Sequence, residues 1–241
     1  MKLYSGKIEE KNFHNAYAKA IQAVIREGAD LVIGGAEQRK PINDSCMLIS
    51  LVGNAIKQVE NRELHPQFPT KRKHLDVYCK EYTREYVEEY RRMDPEMRFN
   101  YLYFERLTHF KWSDYDQLTK LSEQLHDSIE EYITSNRLQA TTWYPRSDSI
   151  SNSPPCLQRI QIRYIPDNKV DIHLMWRSRD LYAAWQSNVI CLIDMLNREV
   201  IKPNNCQIVR IIDFSDSLHI YKTDLEEAKK VKLVPTNPQE M

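Results

Sequence analysis

Two segments past the middle of the chain restrict its fold more than anything else in it. Residues 157–164 and 170–176 alternate apolar and polar side chains with a period of two, and Ile165-Pro166-Asp167-Asn168-Lys169 joins them. That period belongs to strands with one buried face, and proline and asparagine at the junction suit a turn. The next segment, residues 181–198, has helical spacing and is apolar over most of its surface, which calls for burial. Strands return at 207–214 and 218–221, and 224–232 reads as a short helix. The combination predicts an α/β (α+β) fold, a mostly antiparallel or mixed sheet with a buried helix packed against it.

The first half fits that plan. Residues 11–27 place Phe13, Tyr17, Ile21 and Val24 on one helical stripe, 30–34 resemble a short strand, and 46–52 a buried strand or short helix. The charged, tyrosine-rich stretch 71–92 reads as one helix, 115–133 as the clearest helix of the chain, and 137–143 as a strand. There is no internal repeat and no low-complexity linker, so a single domain is expected over 1–225, followed by a helix end and loose tail over 226–241.

Composition narrows the function. The 241 residues are 28% charged and 41% hydrophobic, a globular mixture with room for a large core. Only 5 glycines are present, and neither nucleotide-binding glycine motif occurs. Lys+Arg and Asp+Glu are both 34, and a net charge of zero argues against polymeric nucleic acid or a membrane surface as partner. The N-terminus lacks a signal-peptide apolar region, and no apolar run is long enough to span a bilayer. The five cysteines form no metal-binding spacing; an odd count without a secretory signal reads as reduced thiols in a cytoplasmic protein.

Four short motifs stand out. Pro154-Pro155-Cys156 precedes a strand, and prolines that fix the backbone are one way to present a thiol; a buried cysteine after a turn is the plainer alternative. Arg177-Ser178-Arg179-Asp180 ends the second strand of the hairpin, where Arg177 either pairs with Asp180 at a solvated strand end or lies close to Cys156. A guanidinium there would favour the reactive thiolate and could hold a phosphate. Asn188 falls inside the apolar helix and needs polar partners, while His219 and Tyr221 share one face of a strand or form a surface pair.

In this order the motifs resemble the thymidylate synthase superfamily, including its pyrimidine nucleotide hydroxymethylases. Residues 135–143 and 101–107 are similar to two further family segments, the latter in the form of archaeal-type members, and the likeness covers about 100–221. It implies that Cys156 attacks C6 of a pyrimidine nucleoside monophosphate, so that C5 can accept a one-carbon unit from 5,10-methylenetetrahydrofolate or a tetrahydromethanopterin relative. Arg177 and Ser178 would hold the phosphate and Asp180 the pterin. Asn188 would read the base, and His219 and Tyr221 would bind the sugar. Tyr103 would assist proton removal from C5, and Arg39 would add a phosphate contact. Arg137 would reach the other site of a sheet-to-sheet homodimer. The chain departs from the pattern at Leu157, Trp176 and Asn136, and it lacks the family's glutamate motif, for which Glu81 and Glu85 are the candidates. Three activities follow: methylation of dUMP to dTMP, hydroxymethylation of a uracil or cytosine nucleotide, or nucleotide binding by a weakened homologue.

Overall fold

The computed structural model of the chain describes residues 3–34, 39–99, 101–110 and 115–235. The hairpin forms as its alternation predicts. Strands β5 (Leu157–Ile165) and β6 (Lys169–Trp176) pair antiparallel, with Leu157 opposite Trp176 and Ile165 opposite Lys169. In the turn, Asp167 and Asn168 have φ of 66° and 54°, a left-handed conformation that these two residue types tolerate better than most.

The hairpin belongs to one mixed sheet. Its other strands are β1 (Ser5–Glu10), β2 (Ala29–Ile33), β3 (Lys40–Val52), β4 (Gln139–Thr141), β7 (Arg179–Asp180) and β8 (Gln207–Tyr221). The order is β1-β3-β8-β6-β5-β4, with β2 also on β3 and β7 also on β8. The pairs β1–β3, β6–β8 and β7–β8 are parallel and the rest antiparallel.

Among the described residues the α-helices are α1 (Phe13–Glu27), α2 (Asn54–Glu60), α3 (Arg72–Lys80), α4 (Arg84–Arg92), α5 (Tyr103–Thr108), α6 (Gln117–Glu130), α7 (Pro145–Asp148), α8 (Trp185–Leu196) and α9 (Leu225–Ala228). In α8 every residue but Asp194 is buried, as its apolar circumference requires. The core lies between α8, α1 and the sheet face carrying Met47, Ile49, Leu51, Ile160, Ile162, Ile172, Leu174 and Ile211.

Several expectations need correction. Residues 71–92 form two helices, because Thr83 caps α4 by accepting the Tyr86 N–H and so ends α3 before it. Residues 207–221 are one strand; Asp216 and Ser217 form a bulge opposite Cys46 of β3, not a turn between strands. The strand expected at 137–143 shrinks to Gln139–Thr141, leaving Arg137 outside it. Strand β1 was not legible, since of its three inward positions, Gly6, Ile8 and Glu10, only Ile8 is apolar and the alternation is lost. Beyond α9 the chain is held through Val234: the Lys232 N–H donates to Gln67 Oε1 and the Val234 N–H to Asn15 Oδ1. Residues 236–241 lie outside the described residues.

The expected set of five reduced thiols is also overturned. Cys79 of α3 and Cys191 of α8 form a disulfide with Cα atoms 5.0 Å apart, leaving Cys46, Cys156 and Cys206 free. The bridge closes a sequence separation of 112 residues, and a loop of that size restricts the unfolded chain. Thiol titration of the unfolded, unreduced protein should therefore give three groups and prior reduction five. Reduction should also cost about 2–4 kcal/mol of unfolding free energy in urea.

Candidate active site

Cys156 and Arg177 meet because β5 and β6 are hairpin partners. At the open end of the hairpin the Arg177 N–H donates to the Cys156 carbonyl at 2.9 Å. The Arg177 side chain then turns back over the same segment. Its Nε donates to the Pro155 carbonyl at 3.0 Å and Nη2 to the Pro154 carbonyl at 2.6 Å, with Nη2 also 3.7 Å from Cys156 Sγ. Two proline carbonyls thus hold the guanidinium beside the thiol. Arg177 makes no pair with Asp180, so the strand-end alternative for it falls away.

The parallel pairing of β7 with β8 sets Asp180 opposite His219. The Asp180 carboxylate accepts the Ala183 N–H at 3.0 Å; burial weakens its acidity. Ser178 is half-buried between Arg177 and the start of β7. His219 is buried, its Nδ1 lies 3.2 Å from Ser217 Oγ, and its Nε2 has no partner. Burial lowers its pKa to about 4, so the ring is neutral at pH 7. The Tyr221 ring meets it edge-on at 5.0 Å. Burial makes the Tyr221 phenol a weaker acid, and Asp180 and Cys156 add to that, so Tyr221 lies within electrostatic reach of both.

A row of tyrosines links the thiol to α8. Tyr101 and Tyr103 have ring centroids 5.3 Å apart, and the Tyr103 ring packs edge-on to Trp176 at 5.8 Å. Both phenols are weakened acids through burial, and both lie within electrostatic reach of Cys156. Tyr82 continues the row beside Tyr103, and its hydroxyl is 2.7 Å from that of Tyr78. Asn188 Nδ2 then donates to Tyr78 Oη at 2.8 Å. A cavity of about 320 Å³ opens beside Tyr101, lined also by Glu81, Phe99, Leu102 and Ser153. Glu81 is half-buried and its carboxyl is pushed up by burial, whereas Glu85 is exposed.

Cys156, Arg177, Asp180, Asn188, His219, Tyr221 and Tyr103 therefore converge. Arg39 and Arg137 do not join them within the chain. Arg39 is exposed just before β3, and Arg137 is exposed with its N–H on Ser135 Oγ.

Two residues that sequence reasoning passed over are as deeply placed as any of these. Arg179 and Asp213 are each about 1% exposed at the side chain and pair at 2.6 Å. Their signal was present: a charged residue inside Arg210-Ile211-Ile212-Asp213-Phe214 on a core strand needs a buried partner.

The thymidylate synthase family profile matches residues 71–238. The chain belongs to the thymidylate synthase family. The match takes in every residue of the convergent cluster, begins well before residue 100, and leaves Arg39 outside. Proteins named "Putative thymidylate synthase" from Methanopyrus kandleri and Methanothermobacter marburgensis are each 30% identical to the chain, over 136 and 139 residues. These matches cover 56% and 57% of the chain and 62% and 58% of the relatives. A third so named, from Methanosarcina barkeri, is 26% identical over 162 residues, 66% of the chain and 70% of that protein. The chain thus spans about three fifths of the length of the first two relatives.

Burial of neutral His219 has a pH signature. Its pKa in the folded chain, about 4, lies below the ordinary 6.5, so the unfolded state takes the proton first as pH falls. Its contribution to stability is complete above about pH 6.5 and lost on the way down to about pH 4. Urea unfolding should show His219→Asn losing about 1–2 kcal/mol less than the parent between pH 7 and pH 5. His14 and His65, also lowered by burial, account for part of the loss that remains.

Proposed function

We propose that the chain transfers a one-carbon unit to C5 of a pyrimidine nucleoside monophosphate, with dUMP as substrate and dTMP as product. The observation that carries this reading is the Arg177 guanidinium, held by two proline carbonyls with Nη2 3.7 Å from Cys156 Sγ. A fixed cation beside a thiol favours the thiolate, the form that adds to carbon. Thiolate addition at C6 forms the S–C6 bond and moves the C5–C6 electron pair toward C5 and O4. Asn188 would meet that developing charge with its amide N–H. The C5 proton would leave by way of the Tyr101–Tyr103 hydroxyls, and Glu81 in the adjoining cavity is the carboxyl best placed to order water there.

The remaining roles follow the chemistry of each group. His219 Nε2, buried and unpartnered, suits a sugar hydroxyl, with Tyr221 beside it. Arg177, Ser178 and Arg39 would share the phosphate. Among the described residues Asp180 has no cationic partner, so its carboxyl fits the N–H-rich edge of a pterin. A folate-type carrier, 5,10-methylenetetrahydrofolate or a tetrahydromethanopterin relative, would supply the one-carbon unit and, for a methyl product, the hydride.

A homodimer through the sheet belongs to the same proposal. On the face away from the helices, Leu48, Phe214 and Met175 form one half-buried row and Ile212 continues the next. Arg159 and Arg163 flank these rows, and each has a buried Nε without a partner. A second copy would cover this face and let Arg137 reach the other subunit's phosphate.

Cys156→Ser should abolish tritium release from [5-³H]dUMP while Cys46→Ser keeps it; release by the Cys156 variant would refute the nucleophile. Product analysis then separates methyl from hydroxymethyl. Mixing inactive Cys156→Ser with inactive Arg137→Glu should restore activity in proportion to mixed dimers, because one site then carries neither defect. If the mixture stays inactive although subunits exchange, Arg137 does not act across the dimer.

A further inference from the structure

We infer that Arg179 sets the base specificity of the site by fixing which way round the Asn188 amide stands. This rests on the reading of Asn188 as the residue that meets the base edge.

Arg179 is immobilised on every side. Its Nη1 donates to both Asp213 oxygens at 2.6 Å and its Nη2 to the Trp185 carbonyl at 3.1 Å. The guanidinium lies 3.9 Å over the Trp176 ring, and Trp185 Nε1 donates to Asp213 in turn. Its Nε faces Asn188 Oδ1 at 3.4 Å. A guanidinium has five N–H groups and no acceptor, so only the oxygen end of an amide is tolerated there. Turning the amide over would set N–H against N–H next to a buried cation. At the other end, Asn188 Nδ2 is already committed to Tyr78 Oη at 2.8 Å.

An asparagine amide has two acceptor sites on oxygen and two hydrogens on nitrogen. The protein uses one of each, and one acceptor and one donor remain in a fixed spatial order. Uracil presents O4 as acceptor beside N3–H as donor; cytosine presents the N4 amino group as donor beside N3 as acceptor. The two edges are of opposite polarity. A free amide could rotate to meet either, whereas an amide held by Arg179 meets one. A buried ion pair is a poor source of net stability, and fixing the Asn188 amide is a use for the Arg179–Asp213 pair that does not depend on it.

The test is calorimetric binding of dUMP and dCMP to the protein without carrier, read as the ratio of the two dissociation constants. Two charge-balanced pairs remove the lock, Arg179→Gln with Asp213→Asn and Arg179→Met with Asp213→Leu; near-UV circular dichroism reports which of them fold. Each folded pair should lower the preference for dUMP about tenfold, one hydrogen bond's worth. Arg179→Lys, still a donor-only cation, should keep it. Asn188→Ala should abolish the preference in either background. A folded double variant that keeps the parent ratio while Asn188→Ala loses it would overturn the role of Arg179 alone. A parent ratio near one, or an Asn188→Ala protein that still discriminates, would overturn the base reading and this inference with it.

Discussion

The site depends on the parallel pairing of β6 with β8. Two parallel neighbours cannot be joined by a tight turn, so the chain between them must cross over the sheet. That crossover contains α8, and the space it occupies is the core, which is why α8 is apolar all round. Three consequences follow from the one pairing. Arg177 and Asp180 leave β6 at the edge where His219 and Tyr221 end β8. Asn188 arrives above that edge on the buried helix. The free end of β5, carrying Cys156, is brought to the same place by the hairpin.

Within this frame two arginines, separated by one residue, have opposite surroundings. Arg177 ends on backbone carbonyls and stays half-buried, its charge directed at a thiol. Arg179 points into the core and is matched by Asp213, Trp185 and the Trp176 ring. Alternation alone would put residues two apart on one face; here the chain bends at Arg177, between the end of β6 and the start of β7, so one cation is available to a ligand and the other is spent on internal order. The Cys79–Cys191 bridge acts on the same region, since Cys79 adjoins Tyr78 and Cys191 lies one helical turn from Asn188.

Much of this was readable from local pattern. The hairpin, its turn, the buried helix and the α1 stripe follow from periodicity, and the order Cys156, Arg177, Asp180, Asn188, His219, Tyr221 follows from resemblance. What escaped was of two kinds. Strand β1 and the break between α3 and α4 lie where charged residues obscure the period or a single cap decides the boundary. The Arg179–Asp213 pair, the tyrosine row and the disulfide join residues 34 to 112 positions apart or set on different elements, and no local pattern reports on them.

By itself the sequence determined the β5–β6 hairpin, the buried helix α8 and the buried stripe of α1, because side-chain periodicity is a property of neighbouring residues. It also contained, in order, the motifs on which the family resemblance rests. Only the tertiary structure decided that Arg177 rather than Arg179 faces Cys156, that Glu81 rather than Glu85 lines the cavity, and that Arg137 stands apart in its own chain. Each of these depends on burial and on hydrogen-bond partners supplied by distant strands and helices, and such partners exist only once the sheet has been assembled.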